Sequence, residues 1–175
     1  MAQDDDRAKL RSYLAAQSAK LSAPEIGARL EEAAGEFLAA LGGVSEGTAH
    51  ARPADGEWSL AEVVDHVRLT LDEVAGIIRT LAGGALPARA MTIAAQPVNA
   101  ARPLAELVER LTLSQAAVAE FLRSHGAEPH TDLRLPDNDF GEINWKGYAL
   151  ILRLHYKDHA QQVRKTLEAL ASGRS

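Results

Sequence analysis

Apolar residues recur along this chain at three- and four-residue intervals, the period of an amphipathic helix, in five separate stretches. In the first, over residues 7–21, Leu10, Tyr13, Leu14 and Leu21 predict a short helix behind an acidic tip. Ser22-Ala23-Pro24-Glu25 then has the form of a capping box with proline in the first turn, in which side-chain oxygens satisfy amide groups that a helix start leaves free. Ile26, Leu30, Ala33, Ala34, Phe37, Leu38 and Leu41 continue one face until Gly42-Gly43. A second capping box, Ser59-Leu60-Ala61-Glu62, opens a helix of about six turns, with Val63, Val64, Val67, Leu71, Val74, Ile77, Ile78 and Leu81 on its apolar face, that ends at Gly83-Gly84. Pro103 opens the fourth, carrying Leu104, Leu107, Val108, Leu111, Val118, Phe121 and Leu122 inward to about His125-Gly126. The last helix covers roughly residues 143–171.

Polar loops with glycine and proline separate these stretches. Residues 83–102 hold two prolines and no clear period, so they read as one long connection. Four long helices and a short first one predict an all-α four-helix bundle, with residues 1–21 as an acidic extension and 22–175 as a single domain. A connection of about 20 residues, at up to about 3.3 Å each, is long enough to run the length of a helix. The second and third long helices are therefore free to lie parallel.

Composition narrows the function more than the fold. With 175 residues, 46% of them apolar, the chain has enough material for one well-filled core. A net charge of −5 argues against the broad basic surface that nucleic acid or anionic lipid requires. The absence of cysteine excludes disulfides, thiolate zinc sites and a cysteine nucleophile, so any thiol chemistry must use an external thiol. The start, Met1-Ala2-Gln3-Asp4-Asp5-Asp6, lacks the basic residues and apolar run of a signal peptide, and no window approaches the roughly 18 apolar residues of a membrane span. The expectation is a cytoplasmic protein with a small-molecule substrate and neither nucleic acid nor membrane as partner.

The candidate chemistry lies in the histidines. His155 and His159 are i and i+4 on the last helix, about 40° apart around it and about 6 Å along it, so they can share one metal ion. A catalytic zinc site usually takes three protein ligands, so a third is needed. His66 sits between Val63 and Val67 on a predicted inward face and is the best placed. His50 and His130 fall in loops, and His125 ends a helix, where the carbonyl dipole favours a protonated imidazole. His155, His159 and Gln162 share one inward stripe, flanked by Leu152 and Val163, and three polar side chains there carry a desolvation cost unless something satisfies them.

Other polar residues have competing readings. Glu62 lies on the His66 face and is a candidate partner or base for a metal ligand, although its capping-box role is the stronger reading. Gln162 is positioned to orient a ligand or a substrate, or to be a buried amide satisfied by backbone. Asp65 and Asp158 point about 100° away from the histidines beside them, which predicts solvated surface. Trp58 and Trp145 precede helices and suit either a pocket mouth or core packing. Arg102 and Lys146 are candidates for attracting an anionic substrate, with plain surface charge as the stronger reading.

Two segments also resemble a known family. Trp58-Ser59-Leu60-Ala61-Glu62-Val63-Val64-Asp65-His66-Val67 is similar to the Trp-Ser, helix, histidine segment of the DinB/YfiT-like proteins. His155-x-x-x-His159-x-x-Gln162-Val163 is similar to their paired-histidine segment on the last helix. The loop Arg52-Pro53-Ala54-Asp55-Gly56 and the separation of about 90 residues agree with it, over roughly residues 28–170. The resemblance implies an up-down-down-up bundle, often a homodimer, whose histidines, here His66, His155 and His159, hold a divalent ion such as zinc or nickel. It also implies one of several activities, among them transfer of a low-molecular-weight thiol and hydrolysis. Many members carry a further histidine where this chain has Asp158, which weakens any assignment to a branch. Two functions remain open: a metal-dependent thiol transferase or hydrolase, and a non-catalytic dimeric bundle with a structural metal or none, acting by partner binding.

Overall fold

The computed structural model describes residues 2–89, 91–92, 98 and 101–172. Four long helices form the bundle: α2 (Ala23–Ala40), α4 (Leu60–Ala82), α5 (Leu104–Ser124) and α6 (Trp145–Ser172). The first helix, α1 (Ala2–Lys20), begins five residues earlier than the apolar spacing indicates. The loop read between the first two long helices holds a one-turn helix, α3 (Glu46–His50), which Ser45 caps by accepting from the Thr48 amide at 3.2 Å. The polar loop before α6 contains a small antiparallel hairpin, β1 (Leu135–Asp137) and β2 (Gly141–Ile143), with Leu135 opposite Ile143. Three-residue strands are too short to carry an alternating pattern that stands out from loop sequence.

Around the bundle the order is α2, α6, α4, α5, so that α2 and α4 face each other across one diagonal and α5 and α6 across the other. Specific contacts fix the directions. Leu122 near the end of α5 packs against Gly27 near the start of α2, and Glu46, in the segment after α2, accepts the Leu104 amide at the start of α5, so these two helices run antiparallel. Phe37 packs edge-on against Tyr156, while Glu128 bridges Ala23 and Lys146 one end further down, so α2 and α6 run parallel. His66 near the start of α4 meets His159 well along α6, and Gly84 just beyond α4 touches His130, on the loop that leads into α6. The path is therefore up-down-down-up. The connection after α4 must return along the bundle, and Thr92 donates to Glu73 midway up α4 as it does so.

Packing is dense where helices approach most closely. Gly27 on α2 is one such place, because a Cβ there would stand 3.2 Å from the Cβ of Leu122 on α5. Leu14 and Leu21 join the same apolar cluster as the bundle residues, so α1 is packed on its outside rather than trailing from it. Arg11 fastens α1 to the hairpin by donating to the carbonyls of Asn138 and Asp139, and Arg153 on α6 donates to the Tyr13 hydroxyl. Among the described residues no helix is long and apolar enough to cross a membrane.

The end of the bundle away from His66 is closed by a buried ion pair. Lys146, expected at the surface, is only 4% exposed, and its ammonium donates to Glu128 Oε2 at 2.6 Å. Glu128 Oε1 accepts the Ala23 amide at 2.6 Å, an amide that the start of α2 leaves free. Glu128 makes both contacts from a left-handed backbone, φ 49°, a conformation that a non-glycine residue holds only when its surroundings compensate. Glu128→Ala removes the carboxylate and leaves the ammonium buried and unpaired, and such losses cost about 3 kcal/mol. Urea unfolding should show a loss of that order.

Candidate metal centre

The site begins with the way α4 starts. Both halves of the capping box are formed: Ser59 Oγ accepts the Glu62 amide at 3.3 Å and Glu62 Oε2 accepts the Ser59 amide at 2.8 Å. Glu62 Oε1 accepts from the Arg52 guanidinium, which also donates to the Glu57 carbonyl at 2.7 Å. Both oxygens of Glu62 are thus committed to holding the preceding loop on the helix. Asp55-Gly56 turns that loop with Gly56 at φ 82°, and Trp58 is delivered beside the helix, its ring centroid 4.9 Å from that of His66.

Antiparallel packing of α4 on α6 then brings His66 against the α6 pair. The ring centroids are 5.1 Å apart for His66 and His155, 5.0 Å for His66 and His159, and 4.3 Å for His155 and His159. One ligating nitrogen from each lies within 4.8 Å of the other two. Three nitrogens on a tetrahedral zinc stand roughly 3.3 Å apart, given metal–nitrogen bonds of about 2.0–2.1 Å. Small side-chain rotations cover the difference. An open cleft of about 280 Å³ reaches the histidines, lined by Gly56, Glu57, Trp58, His66, His159 and Gln162. His155 is not among its lining residues.

The three imidazoles are held neutral. Burial pushes His66 down to about 4, helped by the neighbouring His159 and opposed by Asp65. His155 is pushed down to about 2, again first by burial and then by His159 and His66. His159 is also lowered by burial, against the opposing influence of its hydrogen bond to Gln162. Neutral imidazole is the metal-ligating form. Among the described residues His155 Nε2 is shut off from solvent without a hydrogen-bond partner, and His159 Nδ1 is paired with Gln162 Oε1 at 2.6 Å.

The remaining candidates lie elsewhere. His50 pairs with Glu46 at 2.7 Å. His125 stacks on Phe121 and bonds its carbonyl, and His130 packs on Gly84, so these three serve loop and helix-end structure. Asp158 is exposed as expected, but Asp65 is not: it is 1% exposed, and Arg68, one turn on, donates to Oδ1 at 3.0 and 2.8 Å. A 100° offset from His66 still points into the protein here because α4 is buried around most of its first two turns. The i,i+3 spacing of Asp65 and Arg68 was the available sign of that pair. Trp145 is fully buried and donates to the Pro129 carbonyl, which leaves Trp58 as the tryptophan at the cleft. Arg102 pairs with Glu106 on α5. Arg52 was not singled out for a role, since its partners lie across a loop and no local spacing announces them.

Comparison with known proteins agrees with the fold. The chain is similar to a four-helix bundle protein solved by crystallography, TT2238, with a TM-score of 0.62 and 24% identity over 82% of this chain and 99% of the other, a likeness of fold. No curated protein matches the sequence. The sequence pattern of the DinB superfamily matches residues 29–163, from within α2 to about one turn beyond His159. The chain belongs to the DinB superfamily.

Proposed function

We propose that His66, His155 and His159 together hold a divalent metal ion, zinc or nickel, and that the protein is a metal-dependent enzyme. The reactions in view are transfer of a low-molecular-weight thiol to an electrophile and hydrolysis of a small substrate. The observation that carries the metal reading is His155 Nε2, a buried ring nitrogen with no hydrogen-bond partner among the described residues, within a cluster of three imidazoles close enough to share an ion. Leaving such a group unsatisfied costs about 1–3 kcal/mol, and a metal ion supplies the missing partner. The cleft over His66 and His159 favours an ion with an open position over a closed structural one. When bound, the ion supplies Lewis acidity that brings a thiol or water toward ionisation at neutral pH. The chain contributes a three-nitrogen face, an indole wall from Trp58 and a rim that includes Glu57. Having no cysteine, it leaves the thiol to come from solution.

Elemental analysis of the purified protein beside His66→Ala, His155→Ala and His159→Ala should find about one metal per chain in the parent and a marked loss in each variant. Metal content unchanged in all three would refute the site. Transfer of a small thiol to a chloronitrobenzene should be accelerated by the zinc-loaded protein and fall roughly tenfold or more in His155→Ala. Equal rates with and without metal would favour the non-catalytic bundle.

The neutral imidazoles also set a pH dependence for metal-free protein. Each has a folded pKa below its value of about 6.5 in the unfolded chain, so between these values the unfolded state binds more protons. Stability is full above pH 6.5 and is lost as pH falls toward 4. For His66 alone the loss between pH 7 and pH 5 is about 2 kcal/mol. Urea unfolding in the presence of a chelator should show it, and a variant with all three histidines changed to Gln should show a much smaller loss.

A further inference from the structure

The cleft contains one polar side chain whose two ends face different tasks. Gln162 stands three residues beyond His159 on α6, half-buried, and lines the cleft with it. Its Oε1 lies 2.6 Å from His159 Nδ1, and among the described residues its NH2 group has no partner. The orientation of that amide follows from chemistry. If nitrogen faced the ring, Nδ1 would have to accept and the proton would sit on Nε2, which could not then bind a metal ion. With oxygen facing the ring, Nδ1 carries the proton and Nε2 offers its lone pair.

We infer that Gln162 is a positioning residue with two ends: its oxygen holds His159 in the Nδ1–H form, and its NH2 group projects into the cleft as a donor to an oxygen acceptor on the substrate. This rests on the proposed three-histidine metal site. It narrows the substrate to one that carries an acceptor, such as a carbonyl or carboxylate oxygen, next to the atom that enters the ion's open position. It also gives a reason for an amide rather than a carboxylate. A glutamate at 162 would hold the same tautomer more strongly and add negative charge, but would have no donor left for the cleft. A leucine or alanine would hold neither.

Long-range proton–nitrogen NMR of the metal-free, 15N-labelled full-length protein reads the tautomer directly. The expected result is a protonated Nδ1 and a free Nε2 on His159, shifting toward a mixture in Gln162→Ala. A His159 protonated at Nε2 in the parent protein would overturn the assignment. Zinc affinity, measured by chelator competition, should fall 10- to 100-fold in Gln162→Ala and be retained or tightened in Gln162→Glu. Parent-like affinity in Gln162→Ala would contradict the positioning role. The donor is tested on cobalt-loaded protein by titrating acetate, which has a second oxygen, and thiocyanate, which has no acceptor beside its bound atom, and following visible absorption. Added charge in Gln162→Glu weakens both anions, so the ratio isolates the hydrogen bond. The preference for acetate over thiocyanate should drop about tenfold, and an unchanged ratio would contradict the donor role. Failure of the parent to bind any metal would strike the metal site itself, and the tautomer measured without metal would still decide the positioning of His159.

Discussion

Three imidazoles buried beside one another and kept neutral set the terms for the rest of this structure. Each would be more stable in water or protonated, and burial denies them both. Such a cluster persists only where packing around it is strong enough to hold it. That packing comes from α4 and α6 running antiparallel, so that a residue two turns into one helix meets a pair spaced one turn apart on the other.

The surrounding elements read as supports for that contact. The capping box and Arg52 define where α4 begins and hold Trp58 against His66, so the mouth of the cleft has the same rigidity as the helix start. At the far end, Glu128 ties the start of α2 to the start of α6 through a buried lysine, which sets the height of α6 in the bundle. A slip of α6 by one turn would move His159 to the depth of His155 and leave His66 with one histidine partner in place of two. Outside the bundle α1 braces α6 and the hairpin through Leu14, Arg11 and Tyr13.

Much of this was legible in the sequence because helical periodicity is a local signal. The two Ser-x-x-Glu boxes marked the starts of α2 and α4 to the residue, and the i,i+4 pair together with an inward His66 named the cluster. Other features depend on tertiary context. Lys146 resembles any surface lysine until Glu128, 18 residues away, is brought beneath it. On the period of α4 alone Asp65 falls on a solvated side, whereas its neighbours cover nearly every side of α4 there. The short α3 and the three-residue strands carry too few residues for a period to emerge. Gln162 stood on the right stripe, but its alternatives were separable only once Oε1 was found at hydrogen-bond distance from His159.

The central claim is that His66, His155 and His159 are the ligands of a single ion. The most direct measurement is X-ray absorption at the metal edge of the zinc-loaded protein. Three imidazole nitrogens at about 2.0–2.1 Å, accompanied by a light atom in the remaining position, are the expected first shell. A shell of oxygens without imidazole scattering, or a protein that takes up no stoichiometric metal, would contradict it.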